Sequence, residues 1–108
     1  MDTIKGQLAI GLWDEEGKAF QRDFEMRLAT LADTENALEE TPEGASMARI
    51  RRHEWAACLL SVGCIPGEKI TPERLAELAS IEFGILADAQ ERLAKKLSGG
   101  KSASPTSA

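Results

Sequence analysis

Apolar positions follow two different periods along the chain, and the change between them divides it. Up to Leu28 the period is two. Ile4, Leu8, Ile10 and Leu12 share one face of a first strand, and Phe20, Phe24, Met26 and Leu28 share one face of a second, with Gln21, Asp23, Glu25 and Arg27 on the other. Alternation of this length predicts a half-buried β-hairpin over residues 4–28. A three-residue loop, Glu15-Glu16-Gly17 with Gly17 left-handed, sets Asp14 opposite Lys18, Leu12 opposite Phe20, Leu8 opposite Phe24 and Ile4 opposite Leu28. A slip of one residue would break that apolar face. Arg22, opposite Ile10, is its polar intruder. Trp13 falls on the solvent side, either as cover for the turn or as an interaction residue. Two strands alone are marginal in water, so the hairpin needs helices on its apolar face or a strand from another subunit on its edge.

From Thr30 the period lengthens to that of a helix. Thr30 with Asp33 makes a weak capping box for a helix over about 31–40, with a thin stripe of Leu31, Thr34 and Leu38 and a solvated face of Glu35, Glu39 and Glu40. Thr41-Pro42-Glu43-Gly44 is a loop. Ser46 caps and Gly63 ends a central helix over 47–62. Its halves are unlike. The first carries Arg49, Arg51, Arg52 and His53; the second, Trp55 to Val62, is apolar almost all the way round. Such a helix is covered on every side, so the rest of the chain must wrap it or a partner must. Ile65-Pro66-Gly67 turns the chain, and Thr71-Pro72 starts a helix over 72–79 with Leu75 and Leu78 inward. Ser80 caps a last helix over 81–97, in which Ile81, Ile85, Leu86, Ala89, Leu93 and Leu97 repeat at helical spacing. Residues 98–108, SGGKSASPTSA, are too poor in apolar side chains to order themselves and read as a disordered tail. The fold class is α+β: an N-terminal hairpin followed by about four helices, mostly helical, in a single small domain spanning residues 1–97.

Composition narrows the function more than the fold. A chain of 108 residues is one domain by length, and 43% hydrophobic with 29% charged residues belongs to the soluble globular class. It has neither an apolar run of about 18 residues nor a signal-peptide pattern at its start, and the cytoplasm is the expected compartment. The net charge of −5 opposes binding to a phosphate backbone. Residues 1–46 hold 11 acids against 4 bases, so the Arg49–His53 cluster has acidic surface of its own chain to complement, within one molecule or across a dimer. Cys58 and Cys64 are six apart, a spacing that suits neither a disulfide nor a shared metal, and both read as free thiols. His53 has no Cys or Ser at the spacing of a nucleophile and base. Asp14-Glu15-Glu16-Gly17 is too short for a calcium loop, and no glycine-rich phosphate loop is present. The sequence therefore offers no catalytic residue, no metal ligand set and no cofactor site. A DNA-binding regulator using Arg49, Arg51 and Arg52 is the weaker reading of the basic cluster.

The order of elements, with the step Arg27-Leu28-Ala29-Thr30-Leu31-Ala32-Asp33 into the first helix and the later pattern of Leu75, Leu78, Glu82-Phe83 and Leu86, resembles the tail assembly chaperones of Mu-like tailed bacteriophages and prophages. The resemblance covers roughly residues 4–97. An Asp often stands near the start of the last helix in that family, where this chain has Ser80 and Glu82. The resemblance implies a non-enzymatic protein of the bacterial host cytoplasm. Such a protein binds the helical tape-measure protein before the tail tube polymerises and is absent from the finished virion. Members of that family are often made in a second, frameshifted form extended at the C-terminus, with which the tail beginning at Ser98 is compatible. A chaperone of a helical client presents apolar stripes with a polar rim. Trp55, Leu59 and Val62 of the central helix with Leu86 and Leu93 of the last are the candidates for that groove or for a homo-oligomer contact, Trp13 is a further partner-binding candidate, and plain core is the competing reading for each. A small structural or adaptor protein of the phage particle is the alternative function.

Overall fold

A computed structural model describes residues 2–99. The expected disordered tail lies outside these residues from position 100 onward, and Ser98 and Gly99 belong to the last helix rather than to a tail. The elements are β1 (Thr3–Asp14), β2 (Ala19–Arg27), α1 (Leu31–Glu40), α2 (Met47–Cys58), β3 (Leu59–Val62), β4 (Ile65–Pro66), a 3-10 turn at Gly67–Lys69, α3 (Pro72–Leu75) and α4 (Glu82–Gly99). The four strands form one antiparallel sheet in the order β1-β2-β3-β4. Helices hold 48% and strands 28% of the described residues. The fold is therefore α+β with a substantial sheet, and both "mostly helical" and a lone hairpin understate the strands.

The largest departure from expectation is at Leu59. The central helix stops at Cys58, and Leu59–Val62 pairs with β2 as a third strand, Phe24 facing Val62 and Met26 facing Leu59. An apolar run of this length has no periodicity of its own. It becomes a strand because the open edge of the hairpin supplies the hydrogen bonds that a lone hairpin lacks. Gly63 is left-handed (φ 57) in the two-residue connection to β4, and is not the end of a helix. The expected helix over 72–79 is likewise shorter, a single turn capped by Thr71 with Pro72 in its first position.

The hairpin register differs from expectation on both sides of an irregularity. Near its open end Ile4 faces Met26 and Gly6 faces Phe24; near the turn Leu12 faces Gln21, Trp13 faces Phe20 and Asp14 faces Ala19. Leu8 to Gly11 bulge between these two stretches. The connection is four residues, with Lys18 rather than Gly17 in the left-handed region (φ 54). The Asp14 carboxylate fixes it by accepting from the backbone N–H groups of Glu16 and Gly17. The bulge turns Ile10 and Phe20 outward, and both are half exposed. Leu8, Leu12, Phe24 and Met26 remain inward and pack with Trp55, Cys58, Leu59, Val62, Leu86 and Ala89 into one core.

Candidate functional site

Two polar constellations hold this architecture in place, and a groove lies between the helices that they position. The first stands where β2 runs into α1. Arg27 forms a two-pronged pair with Asp33, Nη1 to Oδ2 at 2.7 Å and Nη2 to Oδ1 at 3.1 Å, and also donates to the carbonyls of Leu28 and Ala57, each at 3.1 Å. Asp33 in turn accepts from the Thr30 backbone N–H at 2.8 Å, while the Thr30 hydroxyl accepts from the Asp33 N–H, which completes a capping box. Gln90 of α4 closes the other side, accepting from Ala29 N–H and donating to the Arg27 carbonyl. One cluster thus ties β2, α1, the end of α2 and α4 together. The Arg27 guanidinium holds the Asp33 carboxyl well below the usual carboxylate range. Burial, and then the Asp33 charge beside it, pushes the Cys58 thiol up to about 12, so that Cys58 is a neutral, inert core side chain.

The second constellation is the β1 bulge. The Glu82 carboxylate, fully buried at the first position of α4, accepts three backbone N–H groups: Ala9 at 2.7 Å, and Ile10 and Gly11 at 2.9 Å each. A carboxylate is suited to this role because it presents several lone pairs and because the start of a helix favours negative charge. Gly11 lets the bulge lie close against β2. Its φ is 114, and a Cβ there would sit 2.6 Å from the Gln21 carbonyl oxygen. Arg22, the polar intruder of the sequence pattern, donates to the Leu8 carbonyl at the same bulge.

Between the first half of α2, the α3 turn and the start of α4 runs a groove of about 810 Å³. Its floor is apolar, built from Trp55, Leu75, Leu78 and Leu86, with the Phe83 ring tilted against Trp55 at a centroid distance of 5.0 Å. Ile81 and Phe83 stand exposed at its mouth. The charged residues that line it are Arg49, Arg52 and Glu82. Glu82 spends its carboxylate on β1, whereas Arg49 and Arg52 have no ion pair among the described residues, and Arg52 Nε is buried with no hydrogen-bond partner. The groove is therefore apolar at its base and positive along one wall.

The sequence-derived partner-binding residues distribute unevenly over this surface. Trp55 and Leu86 contribute to the floor, but both are at most 5% exposed. Leu59 and Val62 are core residues of β3, and Leu93 is buried on the inner face of α4. These three do not line the groove, because the helix expected to display two of them is a strand and because α4 turns the third inward. Trp13 is half-buried, set edge-on to Phe20 at 5.1 Å, with its Nε1 donating to Glu15. The basic cluster is dispersed too. Arg51 pairs with Glu54 at 2.7 Å and His53 with Glu40 at 2.9 Å, so that only Arg49 and Arg52 remain together. Among the described residues no group of three His, Cys, Asp or Glu side chains is arranged to hold a metal ion.

Sequence reasoning missed the role of Glu82, the bulge and the unpaired Arg52. One signal was available: an isolated Gly11 inside an alternating strand marks a bulge or a close backbone approach. No helix of the described residues is long and apolar enough to cross a membrane. Comparison of the chain with protein-family models, with characterised proteins and with solved structures finds no match.

Proposed function

We propose that the protein is a non-enzymatic binding protein that holds an amphipathic helical segment of a partner in the α2–α3–α4 groove. The observation that carries this reading is the groove itself: an apolar floor, two exposed apolar side chains at its mouth and two arginines with no ion pair among the described residues. Apolar anchors at helical spacing with a charged rim are what helix-in-groove recognition uses. The Leu75, Leu78, Glu82-Phe83 and Leu86 pattern that resembles the tail assembly chaperones falls on this one groove. On that resemblance the client is the tape-measure protein of a tailed phage or prophage, bound in the host cytoplasm during tail morphogenesis.

Co-expression of the full chain with a tape-measure protein of a Mu-like tailed phage tests the proposal. A complex that survives purification, and that is lost on Phe83→Ser or Arg49→Glu while the circular dichroism of the chain is unchanged, supports it. No complex, or a complex indifferent to both substitutions, overturns the groove as the client site. A chaperone is also missing from purified particles, so finding the chain in them would favour a structural component instead.

A further inference from the structure

The strongest unmatched surface besides the groove is the outer face of α1. Leu31 is 75% and Leu38 55% exposed, the highest values among the leucines of the described residues. They stand seven apart and so share one face of the helix, with Glu35 and Glu39 beside them at helical spacing. α1 carries no basic residue. Its other charges are engaged: Asp33 faces inward to Arg27, and Glu40 pairs with His53. Glu35 and Glu39 are exposed and make no ion pair among the described residues.

This face is the chemical complement of the groove. The groove offers an apolar floor beside Arg49 and Arg52; α1 offers two leucines beside Glu35 and Glu39. We propose that the groove of one molecule takes α1 of a second copy of this chain, Leu31 and Leu38 entering the apolar floor and Glu35 and Glu39 meeting Arg49 and the open side of Arg52. The inference rests on the reading of the groove as a helix-binding site and names its occupant in the absence of client. The two surfaces are different patches of the molecule, so the contact is head-to-tail in kind. It closes when two copies exchange α1 reciprocally, and otherwise continues into longer assemblies. Either arrangement covers both exposed apolar surfaces until a client helix displaces α1 from the groove.

Sedimentation of the full chain over a range of concentrations, with circular dichroism as the folding control, tests this. The wild-type chain self-associates, and more weakly as salt is raised, because the Glu–Arg contacts are screened. Leu31→Ser with Leu38→Ser weakens association by about a hundredfold, and Arg49→Glu by about tenfold. Glu35→Arg combined with Arg49→Glu recovers part of the lost affinity. All these residues are exposed, so helicity is retained. A wild-type chain that stays monomeric at about 100 µM, a range in which contacts of this kind are populated, overturns the proposal. So does association that survives the double leucine substitution, even where Arg49→Glu abolishes it, since another surface would then fill the groove. A monomeric chain that still captures the tape-measure protein in an Arg49-dependent way removes α1 as occupant and leaves the proposed function standing. Self-association through α1 with no client captured does the converse.

Discussion

Arg27 and Arg52 meet opposite fates in the same small fold. Arg27 donates to a carboxylate on two prongs and to two backbone carbonyls, and every group around it is tied to something else in the chain. Among the described residues, Arg52 carries a buried Nε with no hydrogen-bond partner, next to an Arg49 with no ion pair and an apolar floor. A buried polar group that is fully hydrogen-bonded specifies structure; one left unmatched loses the free energy of its missing bonds unless something outside the chain supplies them. The contrast separates the part of the molecule that builds the fold from the part that it presents.

If the separation is right, substitutions on the building side should be costly in stability. The largest effect is expected for Glu82→Ala, which orphans the N–H groups of Ala9, Ile10 and Gly11 together. Urea unfolding should show a loss of about 4 kcal/mol, on the basis of 1–3 kcal/mol per buried unsatisfied group. Asp33→Ala leaves a largely buried guanidinium and the Thr30 N–H unpaired and should cost about 3 kcal/mol. Asp33 also predicts a pH dependence. Its carboxyl titrates lower in the folded than in the unfolded chain, so its contribution is present above the ordinary aspartate range and is lost as pH falls below about 4. Asp33→Asn should flatten that acid limb in thermal melts taken across pH. Cys58 adds the opposite limb. Its thiol titrates higher when folded, so stability should fall as pH rises above about 9, where only the unfolded chain ionises. Cys58→Ala should remove that alkaline slope. At the small end, Arg49→Glu on the presenting side should change the unfolding free energy by no more than about 0.5 kcal/mol, as exposed substitutions usually do. A loss of 2 kcal/mol there would mean that Arg49 has a structural partner and would erase the contrast.

The two regions also differ in how far they could be read in the sequence. The clamp was half legible. Thr30 and Asp33 stand at capping-box spacing, and the box is present; Arg27 lies in the same local step, six residues before Asp33, whereas Gln90 joins only through the tertiary fold, about 60 residues away. The groove was legible in composition and misassigned in place. The apolar excess at the end of the central helix was real, but Leu59 to Val62 resolves it by joining the sheet. Hydrophobic period cannot separate a short buried strand from a buried helix end, because both show an unbroken apolar run. With those residues in the core, the presented surface moves toward the arginines of α2 and the Leu75-to-Leu86 stretch. The hairpin shows the same limit from another direction. Its alternation is plain, yet the register follows a bulge fixed by Glu82, about 70 residues away, which no local pattern encodes.

The most direct measurement of the central claim is amide hydrogen exchange on the full chain, alone and in complex with the proposed tape-measure client. Binding in the groove predicts added protection over residues 46–55 and 75–86, with the clamp around residues 27–33 already protected and unchanged. Protection that appears on the β1–β2 hairpin or at the clamp instead, with residues 46–55 and 75–86 exchanging as in the free chain, would contradict it.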